Sequence, residues 1–165
     1  MPPAGSRCPT VIIGLGNVLM TDDGAGIHLV RSLAARASAF PMTEFLDLGT
    51  AGMTVLHALA GRRNAIILDC ARMNQAPGAI CRFMPDQVAS VKDVPRFSLH
   101  EGDLLDILTI ARRVGDYPAT VIIYGIQPAS LDMGESLSPV LTARFDDYVK
   151  IIEDEWRRLV VDVPG

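Results

Sequence analysis

The stretch Thr10-Val-Ile-Ile-Gly14-Leu-Gly16-Asn-Val-Leu19, leading into Asp22-Asp23-Gly24, sets the architecture. Its first five residues form a short apolar run, rich in β-branched side chains and closed by glycine, the pattern of a buried parallel strand. The chain turns over Leu15 to Thr21. From Asp22 onward Ile27, Val30, Leu33, Ala34 and Ala37 recur at helical spacing, with Asp22 or Asp23 available to cap the helix and favour its positive end. Phe40-Pro41 ends this first strand-and-helix unit.

The same alternation continues outward. Glu44 to Leu48 reads as strand, Gly49-Thr50-Ala51-Gly52 as turn, and Met53, Leu56 and Ala60 mark one face of a short helix stopped at Gly61. Ala65-Ile-Ile-Leu-Asp69 is a third buried strand. Asn74 to Gly78 turns into Ala79 to Met84, a connection too short for a crossover helix, so that strand is expected to be antiparallel and at an edge. Ser98 to Gly115 holds a helix with the stripe Leu104, Leu105, Leu108 and Ala111. Thr120-Val-Ile-Ile-Tyr124 is the fifth strand, and Ser138-Pro139 opens a final helix carrying Val140, Phe145, Val149, Ile152 and Trp156. The prediction is an α/β protein: a three-layer α/β/α sandwich around a mostly parallel, twisted, five-stranded sheet with one antiparallel edge strand. One domain over 1–165 is expected, with its core at about 10–158 and poorly ordered tails at Met1 to Pro9 and Val160 to Gly165.

The 165 residues, 49% of them hydrophobic, suit one well-filled core, and a net charge of −4 recommends neither nucleic acid nor an anionic membrane as partner. No apolar run reaches signal-peptide or membrane-span length, so a cytoplasmic protein is expected. Cys8, Cys70 and Cys81 are odd in number and form no CxxC pair, and read as reduced thiols.

Asp23, Asp69 and His100 each fall where a strand's C-terminal mouth or a loop is expected, the rim at which open α/β folds bind ligands. Two carboxylates and an imidazole make a first shell suited to a borderline divalent metal. Each also has a bland reading. Asp23 in a first helical turn serves as a cap or dipole partner, and Asp69 after four apolar residues needs hydrogen bonds, a cation or an exposed position, any of which a structural role satisfies. His100 lies in Ser98-Leu-His-Glu101, where capping-box spacing puts the imidazole in a first helical turn beside solvent. His28 and His57 fall within helices as surface or packing residues, and Cys70 reads as packing, with a catalytic thiolate as the alternative. Gly14-Leu-Gly16-Asn-Val-Leu19 is an incomplete dinucleotide fingerprint: Leu19 replaces the third glycine, and the helix starts late. No Gly-x-Ser-x-Gly elbow or His-Glu-x-x-His helix is present.

Taken in order, these segments resemble the maturation endopeptidases of nickel-iron hydrogenases over roughly Val11 to Trp156. The likeness rests on Gly14-Leu-Gly16-Asn17 with Asp22-Asp23-Gly24, on Asp47-Leu-Gly49-Thr50-Ala51-Gly52-Met53, and on Ile66-Ile-Leu-Asp69. Ser98-Leu-His100, Gly125-Ile-Gln-Pro128 and Leu137-Ser138-Pro139 complete it. The resemblance implies a cytoplasmic peptide-bond hydrolase that removes a short C-terminal extension from the hydrogenase large-subunit precursor after nickel insertion. It assigns Asp23, Asp69 and His100 to the metal-contacting and catalytic positions, with Asp23 where relatives carry Asp or Glu. It also implies that nickel arrives with the substrate, and that Asp47 with Gly49, Thr50, Ala51 and Gly52 helps recognise the precursor. Two other readings use the same residues: a nickel carrier or adaptor built on the three ligands, and a nucleotide-binding module built on the Gly14 to Leu19 turn.

Overall fold

The computed structural model describes residues 7–50, 52–89 and 101–161. Five strands, β1 (Thr10–Gly14), β2 (Thr43–Asp47), β3 (Asn64–Cys70), β4 (Ile80–Phe83) and β5 (Thr120–Ile126), form one sheet in the order β2-β1-β3-β5-β4. All neighbours are parallel except β4, which pairs antiparallel with β5 at the edge, as the short Asn74–Gly78 link requires.

Among the described residues six helices cover the sheet: α1 (Ala25–Ala34), α2 (Thr54–Leu59), α3 (Pro85–Ala89), α4 (Glu101–Val114), α5 (Pro139–Ala143) and α6 (Phe145–Val161). The contiguous apolar runs of the strands are explained by burial on both faces. Ile12, Ile66, Leu68, Ile122 and Tyr124 point to one side, where Leu29, Val30 and Leu33 of α1 meet Tyr148, Ile152 and Trp156 of α6. Val11, Ile13, Ala65, Ile67 and Val121 point to the other, against Val55 and Leu59 of α2 and Leu104, Leu108 and Ala111 of α4. Since β1 lies between β2 and β3, the chain leaves β1 to one side and returns on the other. The mouth between β1 and β3 is therefore the topological switch point, where such sheets open a crevice.

Several boundaries differ from the sequence reading. A 3-10 turn, Thr21–Gly24, precedes α1, and no side chain caps either element, so Asp22 and Asp23 are not caps. Helix α1 ends at Ala34, and Ala37 lies in a separate 3-10 turn. The final helix is two helices broken at Arg144; Leu141 and Tyr148 are fully buried, whereas Val140 is exposed. The N-terminal tail is not loose throughout. The Arg7 guanidinium bonds the carbonyls of His57 and Ala60, Cys8 O accepts from Arg62, and Pro9 O accepts the N–H groups of Arg63 and Asn64. Val160 and Val161 close α6. The remaining parts of both tails, 1–6 and 162–165, lie outside the described residues.

Candidate active site

The turn after β1 is stitched to both neighbouring strand ends. Leu15 N–H donates to Leu68 O at 2.9 Å, Gly16 N–H to Gly49 O at 2.8 Å, and Leu48 N–H to Gly14 O at 3.1 Å. Gly16 has φ +132°, and a Cβ on it would lie 1.8 Å from Asp23 O. Only glycine lets the Asp22-Asp23 turn fold back this closely. Asn17 N–H then donates to Asp23 Oδ2 at 2.9 Å, which fixes that carboxylate at the rim and leaves Oδ1 without a partner among the described residues. Leu19 N–H is taken by Asn17 Oδ1 and Met20 N–H by Asn17 O. The turn's amides thus serve the protein itself rather than forming the phosphate cradle that a nucleotide-binding module needs.

Asp22 has a different task. It is fully buried, and its carboxylate accepts the N–H groups of Ala129 (2.8 Å), Ser130 (3.0 Å) and Ser138 (2.7 Å). One charge thereby holds both ends of the loop between β5 and α5. An isolated parallel bridge, Met20 to Gly134, joins the same two loops.

Asp69, near the end of β3, is buried, and its Oδ1 accepts the Cys70 N–H at 2.8 Å. Burial first, then the charges of Asp69, Asp23 and Asp22, pushes the Cys70 thiol far above its ordinary range. Cys70 is therefore a protonated packing residue rather than a thiolate nucleophile. The Thr21–Gly24 turn packs against β3, and Leu15 N–H bonds Leu68 O, so Asp23 and Asp69 lie on the same rim at the β1/β3 mouth.

Asp47 ends β2 on the same rim. Its carboxylate pairs with Arg31 (2.6 Å) and accepts the Gly49 N–H at 3.2 Å, with Gly49 at φ +58°. Thr50 and Gly52 are exposed beyond it. His100 and Ala51 lie outside the described residues. Among the described residues no group of three or more His, Cys, Asp or Glu side chains is placed to hold a metal. His57 is exposed on α2. His28 on α1 packs its ring against Gly24, and burial and the nearby Arg31 keep it below its ordinary pKa.

Sequence reasoning missed two features. Asp22 reads as a helix cap because its partners stand more than a hundred residues away. An open groove of about 550 Å³, lined by Arg72 and Asn74 after β3 and by Gln127 and Ser130 to Asp132 after β5, depends on two distant loops meeting.

An open α/β sheet with Asp23 and Asp69 on the rim of its switch point defines an α/β protein with a rim-mounted polar site. Comparison with known proteins makes the class specific. The family model described as hydrogenase maturation protease, HycI, matches residues 27–155. Hydrogenase 2 maturation protease of Escherichia coli K12 is 31% identical over 137 residues, covering 82% of this chain and 83% of that protein. Hydrogenase expression/formation protein HoxM of Cupriavidus necator is 31% identical over 149 residues, 90% of this chain and 74% of its own length. The solved structure of the hydrogenase maturating endopeptidase HybD from E. coli superposes with a TM-score of 0.79 at 28% identity, over 90% of this chain and 92% of that one. The chain belongs to the hydrogenase maturation protease family. It is accordingly a peptide-bond hydrolase, an endopeptidase of hydrogenase maturation.

Proposed function

We propose that this endopeptidase removes the C-terminal extension of a nickel-iron hydrogenase large-subunit precursor once nickel has been inserted, and that it recognises the nickel that the precursor carries. The observation that supports this most directly is that Asp23, held by the Asn17 N–H, and Asp69 share the rim where the Thr21–Gly24 turn packs on β3, with Asp23 Oδ1 open to a further ligand. Carboxylate oxygens together with a neutral imidazole form a donor set suited to nickel. In this reading Asp23, Asp69 and His100 contact the substrate's metal and thereby orient the extension at the rim. A metal held there supplies polarisation of a carbonyl or of a bound water. Asp47, Thr50 and Gly52, exposed on either side of Gly49, whose carbonyl accepts the Gly16 N–H, contribute recognition of the precursor, and Ala51 is assigned to the same turn. The reading carries with it a reaction in the cytoplasm.

A nickel carrier or adaptor would use the same three side chains, but membership of a protease family favours cleavage. The test compares wild type with Asp69→Asn and His100→Ala on purified nickel-loaded precursor, reading the C-terminal mass of the product. Both variants are expected to leave the precursor uncut while retaining the wild-type circular dichroism spectrum. Undiminished cleavage by either would remove that residue from the site.

A further inference from the structure

We propose that the groove beside the carboxylate pair is a subsite for the precursor's extension, in which Arg72 holds a carboxylate of that peptide. The inference rests on the maturation-protease reading and adds the chemistry by which the cleaved segment is gripped.

Arg72 lies three residues beyond Asp69, on the link that leaves the β3 rim, and is exposed in the groove. Among the described residues no carboxylate pairs with it. Asp132, the anion of the same groove, is engaged by the Ser130 hydroxyl at 3.1 Å. A guanidinium presents a planar fork that matches a carboxylate in two parallel hydrogen bonds, so an unpaired arginine in a cleft is suited to that group. Gln127 adds donors. Its Oε1 accepts the N–H groups of Met73 (2.6 Å) and Gln75 (3.4 Å), while its amide N–H₂ has no partner among the described residues and is available to peptide carbonyls.

The groove is also built to keep its shape. Through Gln127 the link carrying Arg72 is tied to the end of β5. The Ser130 to Asp132 segment is tied to the Asp23 turn by Asp22 N–H to Ser130 O (3.2 Å), by the Asp22 carboxylate on Ser130 N–H, and by Thr21 Oγ1 donating to Asp132 O (2.6 Å). Both walls therefore connect to the elements that hold Asp69 and Asp23. A preorganised cleft loses less freedom on binding, which suits the capture of a flexible chain end.

The carboxylate has two sources, the peptide's C-terminus or an acidic side chain, and the experiment separates them. A fluorescein-labelled peptide with the extension sequence of the large-subunit precursor from the same genome is titrated with wild type, Arg72→Ala and Arg72→Lys, and anisotropy is read. Arg72→Ala is expected to weaken binding about tenfold and Arg72→Lys to restore part of it, the scale of one charge-assisted hydrogen-bonded contact. A C-terminally amidated peptide, or one with its acidic side chains replaced by amides, reproduces that loss on wild type according to which carboxylate is held. On nickel-loaded precursor, Arg72→Ala is expected to raise KM about tenfold with kcat within about twofold. Unchanged peptide affinity in Arg72→Ala, no loss with either blocked peptide, or a fall in kcat at constant KM would each overturn the assignment. Because the peptide carries no nickel and is not cut, a failure of nickel-dependent cleavage is read separately, on the wild-type protein.

Discussion

The Asp22 carboxylate accepts the backbone N–H of Ser138 at 2.7 Å, tying the turn after β1 to the start of α5 across 116 residues of chain. With Ala129 and Ser130 on its second oxygen, this one buried carboxylate braces the loop beside the β1/β3 rim.

Replacing Asp22 by alanine strips three buried N–H groups of their acceptor. We expect a loss of roughly 3 kcal/mol in urea unfolding, because unsatisfied buried donors cost more than the bonds themselves contribute. Asp22→Asn retains an acceptor oxygen and is expected to lose about half as much. Equal stability of Asp22→Ala and wild type would show that the loop holds its place without the charge.

Gly16→Ala combines a positive φ with a Cβ that would lie 1.8 Å from Asp23 O. Something must shift, and the Asp23 turn is the neighbour in the way. The expected result is destabilisation of about 2 kcal/mol or more, with cleavage reduced further than the folded fraction alone accounts for. Wild-type cleavage in this variant would mean that Asp23 need not be held where it is.

Asp47 pairs with Arg31 on the surface, a contact worth about 0–1 kcal/mol. If the turn it begins recognises the precursor, Asp47→Asn leaves the thermal midpoint nearly unchanged while raising KM for the precursor. A change in the midpoint without a change in KM would assign the residue to stability instead.

Buried Glu155 of α6 accepts from Tyr124 (2.5 Å) and from both Nε and Nη2 of Arg82 on the edge strand β4. Burial opposes its ionisation, but the hydrogen bonds from Arg82 and Tyr124 outweigh that and hold its carboxyl below the ordinary 4.5. The unfolded chain therefore binds this proton at a higher pH than the native protein does. Stability from Glu155 is present above pH 4.5 and is lost as the pH falls through its native value. Tyr124 is shifted up, chiefly by burial and by Glu155, so its contribution is lost as the pH rises above the ordinary tyrosine value of 10. Denaturation midpoints across pH are expected to fall at both ends in wild type, with a shallower acid limb in Glu155→Gln. Identical acid limbs would place the acid sensitivity elsewhere, His28 being the next group whose lowered pKa gives the same sign.

Much of the fold is legible in the sequence because strands buried on both faces need unbroken apolar runs, as Ala65 to Leu68 and Val121 to Ile123 have. The antiparallel edge follows from a link too short to cross the sheet. The break at Arg144 is hidden because Leu141, Phe145, Val149 and Ile152 keep helical spacing across it. Helix α3 is too short and too polar to show a period. At the site, the positions of Asp23 and Asp69 follow from the rule that ligands gather at strand ends of a switch point. The brace made by Asp22 and the groove at Arg72 depend on the loops after β3 and β5 coming together in space, which no local pattern encodes.

The most direct measurement incubates the purified protein with nickel-loaded and nickel-free large-subunit precursor from the same source and reads the C-terminal mass of each. Loss of a short peptide from the nickel-loaded form alone is the expected result. Cleavage of both forms alike would contradict recognition of substrate-borne nickel, and an uncut nickel-loaded precursor would contradict the processing role itself.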